Sequence, residues 1–367
     1  MKDDGLIVAA WAEAVRNGTS AVLATVVKVE GSAYRSPGAR MLITENGART
    51  GSVSGGCLEG DILKKAWWLT DAGKATVRVY DSTSDDEAIW AFGLGCNGAV
   101  HVLLERWEGS SATPVAELLS ACRTERRAGA MATIISGPLT GRRTLIFPDG
   151  RRQTDIENAD IRAWVEHNAA RVLESRKSGI ETMGGVEAFI EYVAAPVPLL
   201  IIGAGQDALP VVRFAKELGW HVTVVDGRAN QARPDRFPLA DRVIECDLND
   251  PLRGLTVDEQ TVAVIMSHSY PQDRTFLHNL YSRPLRYLGV LGPRRRTERM
   301  LDEIGVPPQG ELHSPIGLDI GADTPEEIAL AIIAEIQAEL ARRPAGMLHR
   351  KPGPIHEERR KPAAVPA

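Results

Sequence analysis

Gly203-Ala-Gly-Gln-Asp-Ala208 follows the apolar run Pro198-Leu-Leu-Ile-Ile202 and opens a helix-like run from Asp207 to Leu218. A second apolar run, His221-Val-Thr-Val-Val225, then ends on Asp226, 21 residues after Gly205. Glycines at this spacing say little by themselves. Strand, glycine turn, helix and strand in this order constrain the segment to a βαβ unit. There the backbone approaches a pyrophosphate at the helix N-terminus while the acid meets a ribose. The pattern predicts a Rossmann-like domain with Gly203, Gly205 and Asp226 as candidate cofactor contacts. A Rossmann fold that binds no nucleotide is the competing reading, because fold does not dictate function.

Downstream, strand-like runs at Arg242–Glu245, Thr261–Met266 and Tyr287–Leu291 alternate with helical segments, as a parallel sheet covered on both faces requires. Thr324-Pro-Glu-Glu327 starts the last helix with an N-cap, a proline at the first helical position and a capping-box glutamate. The chain has 367 residues, enough for two or three domains, and Pro196 and Pro198 bracket a boundary. The expected class is α/β. An N-terminal α/β domain over 1–195 precedes a Rossmann-like domain with a parallel sheet over 196–343, and a mobile tail over 344–367 holds five prolines.

Hydrophobic residues make up 44% and charged residues 25%, an ordinary globular balance. A net charge of −5 argues against nucleic acid as a partner. No apolar stretch reaches membrane-spanning length and Met1-Lys-Asp-Asp4 lacks signal-peptide architecture, so the chain is read as cytoplasmic, with no membrane partner. Cys57, Cys96, Cys122 and Cys246 form no C-x-x-C pair and read as reduced thiols.

Two glycine-dense loops mark the N-terminal half. In Ser54-Gly55-Gly56-Cys57, just before a helix, converging N–H groups and the helix dipole favour negative charge at the cysteine. Such a thiolate can attack, carry a persulfide or ligate a soft metal. A small thiol packed under the helix is the competing reading, and Glu59 and Asp61 read as acids complementing the helix dipole. Cys96 lies in Phe92-Gly-Leu-Gly-Cys-Asn-Gly98, where either a ligand contact or a tight turn fits. Tyr34, Arg35 and Arg40 are candidate anion contacts from the loop 31–40. In the C-terminal half, His268 follows the fourth strand, where open α/β sheets place ligands, and is a candidate for ligand contact or proton transfer. Gly292 and Arg294 open a basic helix that can grip a phosphate.

Taken together, Gly51-Ser-Val-Ser-Gly-Gly-Cys-Leu-Glu-Gly60, Phe92 to Gly98, Leu200-Ile-Ile-Gly-Ala-Gly205 and Leu312 through Ile328 resemble the XdhC/CoxI family of accessory factors for xanthine dehydrogenase and carbon monoxide dehydrogenase. The resemblance spans nearly the whole chain apart from the tail. It implies a maturation factor, a cofactor chaperone more than a catalyst. The factor binds the molybdenum cofactor, supports its sulfuration and delivers it to a molybdenum hydroxylase apoenzyme. Cys57 is then a candidate molybdenum contact, a cysteine desulfurase a candidate partner, a homodimer a plausible assembly, and a cleft between the two domains the expected seat of the cofactor. The sequence departs from the family at Gln206, where histidine is common, and at Asn97, where glycine is common. The alternative is an NAD(P)-dependent oxidoreductase with Asp226 on the ribose and His268 as acid/base.

Overall fold

In the computed structural model, residues 2–81, 98–108, 113–306 and 312–352 are described. The chain divides into two compact units, Met1–Pro196 and Val197–Ala367. Among the described residues no helix is long and apolar enough to cross a membrane.

The N-terminal unit is built on two antiparallel sheets. The first orders β3 (Arg49–Gly51), β2 (Arg40–Thr44), β1 (Ala21–Gly31), β5 (Gly98–Trp107) and β4 (Thr76–Asp81). The second orders β8 (Arg152–Thr154), β7 (Arg143–Ile146), β6 (Gly129–Ile134), β10 (Val186–Val193) and β9 (Gly179–Met183). Residues alternate between faces along each strand. Val22, Ala24 and Val26 of β1 pack with α2 (Glu59–Leu69), and Ala130, Ala132 and Ile134 of β6 pack with α4 (Ala159–Ser175). The intervening Leu23, Thr25 and Val27 turn inward and meet Met131, Thr133 and Phe189 of the second sheet. α1 (Lys2–Arg16) and α3 (Pro114–Thr124) close one end through Ile7, Trp11, Leu118 and Leu119.

Charges are buried between these sheets. Arg40 on β2 pairs with Glu191 on β10 and with Asp4, while Arg143 on β7 pairs with Glu105 on β5. The side chain of Arg40 is 2% exposed and also donates to Gly38 O at 3.1 Å, so it is an inter-sheet strut and not the anion contact its loop suggests. Arg35 is likewise tied, to Asp3 at 2.5 Å.

The C-terminal unit carries one parallel sheet. Its order is β13 (Arg242–Glu245), β12 (His221–Asp226), β11 (Pro198–Ile202), β14 (Val262–Ile265), β15 (Tyr287–Val290) and β16 (Leu312–His313). Chain order runs 3-2-1-4-5-6 across it, the doubly wound arrangement that reverses between β11 and β14. α5 (Ala208–Glu217) and α8 (Pro325–Ala341) cover the face of Leu199, Ile201 and Val224. α6 (Tyr270–Tyr281) and α7 (Arg294–Ile304) cover that of Leu200, Ile202 and Val225. The expected capping box is present: Thr324 Oγ1 accepts from Glu327 N, and Glu327 Oε2 accepts from Thr324 N.

The mixed α/β class and the parallel C-terminal sheet are as expected, and both N-terminal sheets are antiparallel. Three short strands, β8, β9 and β16, lacked any sequence signal, and of the 344–367 tail, residues 353–367 lie outside the described residues. Replacing Arg40 by Met leaves Glu191 as an uncompensated buried charge. Urea denaturation is expected to show a loss of about 3–5 kcal/mol, with much of it recovered when Glu191→Leu is added.

Candidate functional site

Each unit holds a candidate site. In the N-terminal unit, the loop before α2 is organised around Glu59. Its Oε1 accepts from Ser54 N at 2.8 Å, Val53 N at 3.2 Å and Ser52 Oγ at 3.2 Å, and its Oε2 accepts from Ser54 Oγ. Ser54 Oγ in turn accepts from Gly56 N at 3.0 Å and Leu58 N at 3.1 Å. Gly56 sits at φ +117°, a conformation suited to glycine, which lets the chain reverse around the serine hydroxyl. Glu59, expected to complement the helix dipole, is thus 3% exposed and acts as the peg around which the loop folds. Burial pushes its pKa up, but the hydrogen bonds from Ser54, Ser52 and the backbone outweigh this and hold it below the ordinary value.

Cys57 follows this loop as a free, half-buried thiol that packs beside Leu58 and Ile62. The other two described cysteines are Cys122 and Cys246. Burial pushes Cys122 up to about 12, and burial with the nearby Asp226 charge pushes Cys246 up to about 11. Both stay protonated at neutral pH. Cys96 lies outside the described residues. Tyr34 is 74% exposed and lays its ring against Gly55, where an added Cβ would stand 3.5 Å from Tyr34 Cγ.

The second site is the carboxyl edge of the parallel sheet. Gly203, at φ +118°, ends β11 so close to β14 that an added Cβ would stand 2.5 Å from Ser267 Cα. Asp226 is fully buried, and its carboxylate is saturated. Oδ2 accepts from Ala204 N at 2.9 Å and Arg228 Nη2 at 2.7 Å, and Oδ1 accepts from Arg228 N at 2.9 Å and Arg228 Nε at 2.8 Å. Burial raises its pKa, yet these bonds prevail and keep it low. The acid expected to hold a ribose instead braces the glycine loop and a guanidinium.

His268 adopts a left-handed backbone (φ +58°), and Nε2 meets Asp207 Oδ2 at 2.6 Å. The pair joins the loop after β11 to the loop after β14, beside Gly205, and leaves the imidazole 65% exposed. Asp207 stands at the N-cap of α5 without capping it. Behind it, buried Asp273 accepts from Ser267 Oγ at 2.5 Å and from Arg296 Nη2 at 2.6 Å. Gly292 (φ +122°) turns the chain before α7, but Arg294 and Arg295 are exposed, and the arginine that reaches into the edge is Arg296. Sequence reading missed Asp207, Gln272, Asp273 and Arg296. Asp207 lies inside the glycine motif itself, and Gln272 and Asp273 lie on the helix after the fourth strand, so their positions were visible but their partners were not.

A Rossmann unit joined to an N-terminal unit with a propped Ser-Gly-Gly-Cys loop defines a class of two-part proteins, and sequence comparison places the chain in it. Residues 14–81 match the XdhC and CoxI family and residues 199–336 match the XdhC Rossmann domain. A Bacillus subtilis (strain 168) protein, named as one of the probable subunits of xanthine dehydrogenase, is 33% identical over 322 residues, covering 86% of this chain and 92% of that protein. The Escherichia coli (strain K12) molybdenum cofactor insertion chaperone PaoD is 24% identical over 329 residues, covering 88% and 85%. The crystal structure of a Bacillus halodurans protein described as a xanthine dehydrogenase is 30% identical with a TM-score of 0.76, covering 96% and 98%. The chain belongs to the XdhC/CoxI family.

Glu59 is stabilised as a carboxylate, so its contribution is complete above the ordinary value of 4.5 and is lost as pH falls through its lower folded value. Glu59→Gln is expected to cost about 2 kcal/mol at pH 7 and to speed hydrogen exchange at residues 53–58. The stability gap to wild type should shrink steadily below pH 4.5.

Proposed function

We propose that this protein matures molybdenum hydroxylases. It holds the molybdenum cofactor as cargo, supports installation of the terminal sulfido ligand, and delivers the cofactor to a xanthine dehydrogenase-type apoenzyme, with a cysteine desulfurase as the source of sulfur. Family membership and the name of PaoD support cofactor insertion as the task. The observation that carries the reading is Cys57, a half-buried free thiol directly after a loop pegged by Ser54 and Glu59. Sulfur is a soft donor suited to molybdenum or to a transferable sulfur atom. A loop already ordered loses little conformational freedom when cargo binds, which strengthens retention without further contacts.

The competing oxidoreductase reading requires Asp226 to accept hydrogen bonds from a ribose. With Asp226 fully buried and four donors already on it, that role needs the glycine loop and Arg228 to come apart first.

Protein purified from a molybdenum-replete host should carry molybdenum and the oxidised fluorescent pterin in equal amounts. Cys57→Ala should retain at least about tenfold less of both, the scale of losing one metal-ligand contact. Equal retention in that variant removes Cys57 from the site. Wild-type protein that takes up neither molybdenum nor pterin overturns the proposal.

A further inference from the structure

The carboxyl end of β12 presents hydrogen-bond donors where a ribose site would present an acceptor. Gln272, on the first turn of α6, is 2% exposed. Its Oε1 accepts from Gly227 N at 3.0 Å, and because only the oxygen can accept, this bond sets which way the amide faces. Nε2 is therefore a buried donor, and it has no partner among the described residues. Leaving such a group unpaired costs about 1–3 kcal/mol, and folded proteins seldom do so without a use for it.

The residue after Gly227 supplies the second donor. Arg228 spends Nε and Nη2 on Asp226 and on Ser267 O, while Nη1 has no protein partner among the described residues. Its side chain is 42% exposed, and the bidentate pairing holds the guanidinium plane still. Gln272 approaches this corner because residue 227 lacks a side chain: an added Cβ would stand 3.1 Å from Gln272 Oε1 and 3.0 Å from Leu248 Cγ. Leu248, 38% exposed, lies over the corner and has to turn outward to admit a ligand.

A fixed cation and a buried amide donor, with the local carboxylate already saturated, suit an anion rich in acceptors. They do not suit a sugar diol, whose hydroxyls need an acceptor. We propose that Arg228 and Gln272 form a seat for a phosphomonoester group at the end of β12. The seat extends the maturation reading, since the cargo's terminal phosphate is one source of that group. A nucleotide's free phosphate is the other.

Phosphorus NMR titration of the full chain with inorganic phosphate tests the seat. Gln272→Glu keeps the acceptor for Gly227 N and replaces the spare donor with a negative oxygen. Arg228→Lys keeps a charge beside Asp226 and loses the planar fork. Wild type should bind phosphate, and each variant, with its thermal midpoint checked, should bind at least about tenfold more weakly, as expected for losing a charge-assisted contact. NADP+ displacing phosphate at least about tenfold better than NAD+ assigns the seat to a nucleotide phosphate. Equal, weak displacement by both, with displacement by phosphorylated pterin, assigns it to the cargo. Absence of phosphate binding by wild type, or undiminished binding by both folded variants, overturns the proposal. Cys57→Ala should leave phosphate binding unchanged, so failure of the maturation reading would appear separately, in molybdenum retention.

Discussion

Asp226 ends β12 with no exposed surface, and the working edge of the parallel sheet is arranged around it. One oxygen takes Ala204 N and thereby sets the glycine loop after β11. Both oxygens take the Arg228 guanidinium, which then reaches Ser267 O after β14. Three loops from three strands are therefore coupled through a single carboxylate. A buried charge is tolerable only when its lone pairs are filled, and here the filling groups are the loops themselves. Neutralising Asp226 would release the glycine turn and the guanidinium together. The same saturation explains why a motif that looks like a dinucleotide site presents donors at the place where such a site offers an acid.

The N-terminal unit solves a related problem with charges between sheets. The first sheet contributes Arg40 and Glu105, and the second contributes Glu191 and Arg143, so each sheet supplies one cation and one anion to the shared interior. Pairs of this kind add little net stability over apolar residues of the same size. They do penalise wrong arrangements heavily. A slip of one residue along β10 would turn Glu191 outward and strand Arg40 without its partner. The ion pairs thus act chiefly on register, and register sets where β2 and β3 end and the Ser52–Cys57 loop begins.

Local signals were legible wherever chemistry acts over a few residues. The glycine turn at Gly203 and the capping box at Thr324 each depend on backbone conformations that few residue types adopt, and each appears where the sequence placed it. Strands β8 and β9 escaped notice because they are short edges, β8 wholly polar and β9 mixed, whose existence depends on partners elsewhere. Longer-range pairings were invisible for the same reason: nothing near Arg40 announces Glu191, 151 positions later. At the candidate sites, residue types were readable but commitments were not. Asp226 and Glu59 both looked like groups facing outward to a ligand or a dipole, and both are internal pegs. Whether a carboxylate faces inward or outward depends on side-chain partners, which spacing does not reveal.

On the proposed reading the protein is a carrier that must also release what it holds, and this bears on what each kind of contact to the cargo would contribute. Among the described residues no group of three or more His, Cys, Asp or Glu side chains converges as a metal cage would. On the proposed reading, a metal centre held at Cys57 would meet one soft sulfur from the described residues, and one metal–sulfur bond exchanges far more readily than a chelate that must release several ligands together. Affinity lost by avoiding a cage can be regained at the organic end of the cargo, away from the reactive atom. Contacts to an anionic group are suited to that, because charge-assisted hydrogen bonds are strong when water is excluded and weaken once a partner surface readmits it.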